Sequence, residues 1–339
     1  MTVYRSILAV VFSLFISLIQ QSHGVQLKIA TLSPEGSTWM KKMRDGAEEI
    51  ALRTDGRVTF KFYPGGVMGQ DKAVLRKISV GQLHGGAFVN GSLNKIYPGV
   101  QVYNLIMKFN SYDEVDYVRR KMDGAIKQGL ENNGFIVLGL SEIGFAYVMS
   151  TEPIANVADM RRQKVWVPEN NYVATQALEA LSVAPIPLPL RDVLIALQTG
   201  MVNTVAGSAI GALTLQWHTK VNYLTELPFS YIYGIFVLSE RAFKNISPAD
   251  QNIVRDIMGS VLGELDKLSR ADNISALNAI RDQGIQFIKP NAQSIDEIKS
   301  LIASANENLM TAGNMDKAIA QSMDKHLMDF RSKSASSVK

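Results

Sequence analysis

The sequence predicts an α/β protein with mainly parallel sheets, folded as two lobes joined by strands that cross between them. Three observations predict it. Stretches with apolar residues at period two alternate with stretches at helical spacing along almost the whole chain. Phe145–Met149 and Ser230–Leu238 read as strands that pass from one lobe to the other, and a hinge made of strands needs no Pro-, Gly- or Ser-rich linker, of which the chain has none. From Pro248 to about Gly284 helical spacing runs on without a breaker, giving one unusually long helix that opens on a Ser247 cap with proline at its first position.

The elements follow in order. Val25–Ala30 alternates and reads as a strand; Thr31–Ser37 is loop. Trp39, Met43, Ala47 and Ile50 recur at helical spacing up to about Leu52, and Asp55-Gly56 makes a turn. Val58, Phe60 and Phe62 alternate with polar residues as a second strand, followed by a glycine-rich loop from Pro64 to Gly69. Asp71 caps a helix bearing Val74, Leu75 and Ile78; Ala87–Val89 is a short buried strand, and Asn90-Gly91-Ser92 opens another helix. Ser111 and Glu114 form a capping box for a helix carrying Val115, Val118, Met122, Ile126 and Leu130. Phe135–Leu140 is a continuous apolar run, as in a strand covered on both faces. Beyond the centre of the chain come strands at Pro185–Leu188, Val202–Ala206 and Tyr223–Leu227, with helices from Arg191 and Ser208 between them. Gln286–Ile288 is a last short strand and the remainder is helical. The resulting division puts 25–149 and about 237–276 in lobe I, 150–236 and about 277–331 in lobe II, and a flexible tail at 332–339.

Composition narrows the chemistry. Hydrophobic residues make up 47% and charged residues 19%, so there is ample material for a core. The net charge is +4, and +3 without residues 1–24, whose only charge is Arg5; with no basic run, nucleic acid is disfavoured. Cysteine is absent, which removes disulfides, zinc–thiolate sites and a cysteine nucleophile. Arg5, the apolar run Ile7–Ile19 and the small residues Ser22 and Gly24 read as a secretory signal peptide over 1–24, cut before Val25; the apolar run is too short for an ordinary membrane span. With no cysteine at the cut, a lipoprotein is excluded. His23, His84, His218 and His326 are not at metal-ligand spacing, and the chain has no G-x-S-x-G, Walker or Rossmann signature, so neither a metal site nor an enzyme is expected, and no cofactor.

The central stretch is Lys164-Val165-Trp166-Val167-Pro168-Glu169-Asn170. It reads as a strand stopped by Pro168 over a helix that Asn170 caps, the arrangement at which an open α/β sheet binds a ligand. This stretch, Ala196–Asn203 (Ala-Leu-Gln-Thr-Gly-Met-Val-Asn), Phe62–Asp71 and Ser247–Gln251 together resemble the solute-binding proteins of TRAP (tripartite ATP-independent periplasmic) transporters, the DctP family. The likeness covers nearly all of the chain after the signal peptide.

The resemblance implies a two-lobed periplasmic-binding-protein fold braced by the long helix, a small organic ligand between the lobes, delivery to a pair of membrane permease subunits, and in some systems a periplasmic helical-repeat protein. It also exposes a departure. In the family the strand usually reads Lys-aliphatic-Arg-aliphatic, and the arginine grips a ligand carboxylate; here Trp166 stands at that position. The family's Val-Asp-Gly-Gln-Glu-Asn reads Val-Asn-Thr-Val-Ala-Gly at Val202–Gly207. A buried carboxylate without its arginine would lose about 3–5 kcal/mol, enough to move a micromolar ligand toward millimolar. An apolar, aromatic or neutral ligand is therefore expected. The alternatives are a conventional organic-acid binder with a displaced cation, Arg191 or Arg162, or a sensor that feeds no permease.

Trp166 reads as a pocket wall on the resemblance and as a core aromatic on spacing alone. Trp39 lines the opposite wall or begins a core stripe. Asn90 and Asn170 stand at helix starts, as ligand contacts or as caps. Asn203 and Gly207 lie within the altered Val202–Gly207 segment. Glu142 and Phe145 lie on the first crossing, Tyr231 and Tyr233 on the second; all are candidates for ligand contact with a structural role as the other reading.

Overall fold

A computed structural model describes residues 24–336, Asn170 excepted. The expected signal peptide lies outside these residues but for Gly24. The strands are β1 (Val25–Thr31), β2 (Val58–Tyr63), β3 (Gly85–Val89), β4 (Phe135–Ser150), β5 (Trp166–Pro168), β6 (Ile186–Leu188), β7 (Thr204–Ser208), β8 (Tyr223–Ser239) and β9 (Gln286–Ile288). The helices are α1 (Thr38–Arg53), α2 (Asp71–Ser79), α3 (Tyr112–Glu131), α4 (Val157–Arg161), α5 (Tyr172–Ala180), α6 (Val193–Gln198), α7 (Ala209–Thr214), α8 (Glu240–Phe243), α9 (Pro248–Asp282), α10 (Ala292–Thr311) and α11 (Lys317–Ser336).

One mixed sheet runs β2-β1-β3-β8-β4-β7 with β9 beside β8, and β5 pairs with β6. Four pairings are parallel (β1–β2, β1–β3, β5–β6 and β8–β9). The antiparallel ones, β3–β8, β4–β8 and β4–β7, all involve the two crossing strands, because a chain that crosses once and returns must run against itself. The crossings are longer than the sequence suggested. Phe135–Leu140 and Phe145–Met149 fuse into the single strand β4, as do Tyr223–Leu227 and Ser230–Leu238 into β8. Three register shifts bend β4, at Val137/Gly139, Glu142/Gly144 and Ala146/Val148. Gly144 takes φ +114 at the middle shift, and a Cβ there would stand 2.6 Å from Asn273 Nδ2. Only glycine serves at that bend.

The long helix α9 divides its burial. Val254, Met258, Leu262 and Leu265 enter a core shared with β1, β2 and α1. Ala276 and Ile280 enter another formed with β7, α6 and α7. The helix thus braces both lobes, as the resemblance implied.

Four local expectations change. The cap of α5 is Asn171, whose side chain accepts from Ala174 N, one residue after the Asn170 expected for it. The cap of α2 is Gln70, with Asp71 its first helical residue. Asn90–Leu93 is a single 3-10 turn rather than the start of a helix. Of the expected tail at 332–339, Ser332 to Ser336 continue α11, with Arg331 just before them paired to Glu114 at 2.8 Å and Lys333 to Asp329 at 3.0 Å; 337–339 lie outside the described residues. α11 belongs with α3 in space, since Met323 and Leu327 join the apolar cluster of Val115 and Val118 and Lys108 pairs with Asp324 at 2.7 Å.

Candidate functional site

The carboxyl ends of β1, β2 and β3 on lobe I and of β5 and β7 on lobe II point to where the lobes meet, whereas the two crossing strands run past it. On lobe I the loop after β2 is stitched to the end of β1, Gly65 N donating to Ser33 O at 2.9 Å and Gly66 N to Thr31 O at 3.0 Å. α2 and the Asn90–Leu93 turn start beside it. On lobe II the ends of β5 and β7 run into α5 and α7, capped by Asn171 and Ser208. Strand ends facing helix N-termini form the usual ligand crevice of an open α/β sheet.

Trp166 is 4% exposed. Its Nε1–H donates to Leu188 O at 3.0 Å, across the β5–β6 pair. Its ring meets Trp217 edge to face, centroids 5.2 Å apart at 71°. Trp217 lies on the backbone of β7, where a Cβ on Gly207 would stand 3.0 Å from Trp217 Cζ3. Val193, Ala196, Leu197, Val202, Val205 and Ala209 share this cluster with Ala276 and Ile280 of α9, all of them apolar. Trp166 and Gly207 thus come together through a residue the sequence did not single out, because nothing in spacing links Trp217 to a strand 51 positions earlier. The two arginines considered as displaced cations stand in solvent: Arg162 pairs with Asp159 at 2.6 Å and Arg191 lies 3.6 Å from Asp192, each side chain 67% exposed.

Glu142, Phe145, Tyr231 and Tyr233 form a second cluster inside the crossing. Phe145 lies 5.8 Å from Tyr231 and 4.8 Å from Tyr112. Tyr233 is fully buried and its hydroxyl donates to Val100 O. Tyr231 O–H donates to Glu142 Oε2 at 3.1 Å, and Arg119 Nη1 donates to the Tyr231 oxygen at 3.2 Å. Helices α3 and α9 exchange ion pairs around them: Arg119 to Asp266 at 2.8 Å, Arg270 to Asp116 at 2.6 Å, with Arg270 also reaching Glu142 at 2.8 Å and Arg119 reaching Asp123 at 3.2 Å. Two guanidinium groups therefore face four carboxylates. Burial pushes the Glu142 carboxyl up against the pull of Arg270 and Tyr231. It also pushes the Tyr112 phenol up to about 12, helped by the Glu142 charge. Arg119 and Arg270, hidden on separate helices, could not be matched to Glu142 by sequence spacing.

The profile of the bacterial extracellular solute-binding proteins, family 7 (DctP), matches residues 29–311. The chain belongs to that family. TRAP solute-binding proteins are periplasmic transport components that bind small molecules and deliver them to membrane permease subunits. Relatives include a solute-binding protein of Chromohalobacter salexigens, 22% identical over 76% of this chain and 77% of its own. The sialic acid-binding periplasmic protein of Vibrio cholerae is 19% identical over 80% and 85%. Among solved structures, the sugar acid-binding protein of Advenella mimigardefordensis with galactonate superposes with a TM-score of 0.83 at 19% identity, covering 90% of this chain and 98% of that one. A TRAP periplasmic solute-binding protein of Ochrobactrum anthropi superposes with a TM-score of 0.81 at 21% identity, covering 94% and 99%. These likenesses establish the two-lobed fold.

The remaining candidates of this DctP-family chain are scattered. Asn203 locks lobe II internally, its Oδ1 accepting from Lys164 N at 2.8 Å at the end of β5 away from Pro168. Trp39 is partly buried against the lobe I core. Asn90 opens its turn with its side chain outside the described atoms, and Asn170 lies outside the described residues. Asp71, read from sequence only as a cap, takes the Ser92 hydroxyl at the strand ends of lobe I, and burial pushes its carboxyl up to about 6. Among the described residues no cluster of three or more His, Asp or Glu could hold a metal, and no helix is long and apolar enough to cross a membrane.

Proposed function

We propose that this chain is the periplasmic receptor of a TRAP-type secondary transporter and that its ligand, held between the lobes and passed to the permease pair, is apolar, aromatic or neutral. The observation that carries this reading is Trp166. At the position where the family usually offers an arginine, this chain has an indole whose one N–H is already bonded to Leu188 O and whose ring meets Trp217 edge to face. A guanidinium there would present five donors and a charge; an indole presents apolar area and one donor. The acid surplus at the crossing points the same way, since Arg119 and Arg270 are committed to carboxylates of the chain itself. Of the candidate contacts, Trp166, Gly207, Phe145 and Tyr231 supply the apolar wall, and Trp39 the rim.

A second reading, a conventional organic-acid binder, is favoured by the ligands of the structural neighbours, which include galactonate, pyroglutamic acid and orotic acid. One experiment separates the two. Protein purified from its own periplasm is examined by native mass spectrometry for what co-purifies, then titrated calorimetrically with organic acids and with neutral aromatic compounds. The proposal expects no micromolar binding of simple dicarboxylates, weaker binding of the co-purified ligand by Trp166→Arg, and a smaller radius of gyration with that ligand bound. Micromolar binding of a dicarboxylate that Trp166→Ala leaves unchanged establishes the second reading.

A further inference from the structure

Lobe I carries a concavity at the pole away from the crevice. It opens where α2 ends, where β4 begins and where β8 runs into α8, beside the Gly85–Leu238 end of the β3–β8 ladder; the Val89–Gly234 end of that ladder faces the crossing. Its volume is about 450 Å³, within the range of small-molecule sites. Leu75, Ile78, Ile96 and Phe135 give it an apolar floor.

Two charged side chains stand at its rim. Glu240 pairs with Lys244 at 2.8 Å in solvent and keeps its negative charge. Arg241 has no acidic partner within 4.0 Å among the described residues; its Nη2 lies 3.4 and 3.5 Å from the carbonyls of Ile78 and Ser79 at the end of α2. It rests over Gly81, where φ is +78 and a Cβ would stand 2.7 Å from that nitrogen. The guanidinium is therefore held in place by the backbone while most of its donors remain uncommitted. Lys28 and Arg241 both oppose protonation of His84, after the burial of its ring, so the local field is positive.

We propose that this groove is a second small-molecule site that takes an amphipathic monocarboxylate, its chain or ring on the apolar floor and its carboxylate on Arg241. One uncommitted guanidinium matches one negative charge; a second carboxylate on the ligand would meet Glu240. The proposal does not depend on the ligand of the crevice, because the two sites lie at opposite ends of the lobe I strands and are read by different residues.

The test uses the mature chain carrying ¹³C-labelled Ile and Leu methyl groups, titrated with octanoate and, as a neutral control, octanol. Expected are saturable shifts at the Ile78 and Ile96 methyls. Arg241→Gln weakens octanoate by roughly fivefold without changing octanol, and Arg241→Lys recovers part of the loss. Leu75→Glu, with helical circular dichroism intact, removes octanoate binding. The proposal is overturned by no saturable shift at either methyl up to the solubility limit, by equal octanoate affinity in wild type and Arg241→Gln, or by shifts confined to Ile186 and Ile210 of lobe II.

Discussion

Replacing Arg270 by methionine takes one of two guanidinium groups out of the crossing and leaves Glu142, whose side chain is 0% exposed, without its cation. Methionine keeps most of the aliphatic volume, so the change is mainly one of charge. Stranding a buried carboxylate in this way costs about 3–5 kcal/mol, a large part of a typical folding stability of roughly 5–15 kcal/mol. Asp116, partly exposed, adds little. The cost depends on pH with a definite sign. Burial already raises the Glu142 carboxyl above its ordinary 4.5. A carboxyl raised on folding contributes most below its unfolded value, and that contribution is lost as pH rises through the folded value. Without Arg270 the folded value rises further, so the deficit is greatest near neutrality and shrinks toward about pH 5. Glu142→Gln in the Arg270→Met background removes the stranded charge and restores most of the loss, its amide still able to accept from Tyr231. The assay is urea unfolding followed by far-ultraviolet circular dichroism at both pH values, taken as differences from wild type. A cost below about 1 kcal/mol, or a double variant no more stable than Arg270→Met, would refute the argument that the crossing depends on this pair.

Other expectations concern single positions. Asp71 sits at about 6 in the folded protein, so its contribution to stability is full below its unfolded value and is lost as pH rises through 6; Asp71→Asn should therefore stabilise the protein at neutral pH by about 1–2 kcal/mol and flatten that part of the pH profile, checked by thermal melts across pH 4–8. Gly144→Ala places a Cβ against Asn273 at a left-handed φ and should destabilise by about 1–3 kcal/mol, read as a lower urea midpoint with an unchanged slope. N-terminal sequencing of protein from the periplasm should begin at Val25, and a return of Met1 would remove the signal peptide.

The sequence carried the architecture because the architecture is written in period. The 35-residue α9 is legible as unbroken helical spacing from Pro248, and both crossings are legible as apolar strands. What period does not carry is which strands fuse. The bulges that let β4 continue through Glu142 and Gly144 break the alternation, so one strand reads as two. Caps are ambiguous where two asparagines are adjacent, as at Asn170 and Asn171. The site was legible only as far as one strand reaches. Trp166 could be placed beside a strand end, whereas Trp217, Arg119 and Arg270 are brought in by tertiary packing and leave no local trace.

The long helix has a mechanical consequence. At 1.5 Å per residue its 35 residues make a rod about 52 Å long, fixed by Met258 and Leu262 at one end and by Ile280 at the other in two separate cores. Asn273 pins the rod between them, donating to Ile143 O at 2.7 Å on β4 and accepting from Ile210 N at 3.2 Å at the start of α7. Rotating one lobe against the other must therefore flex the rod or slide it within one of its sockets. Any ligand that drew the lobes together would therefore have to meet the elastic cost of that adjustment in α9.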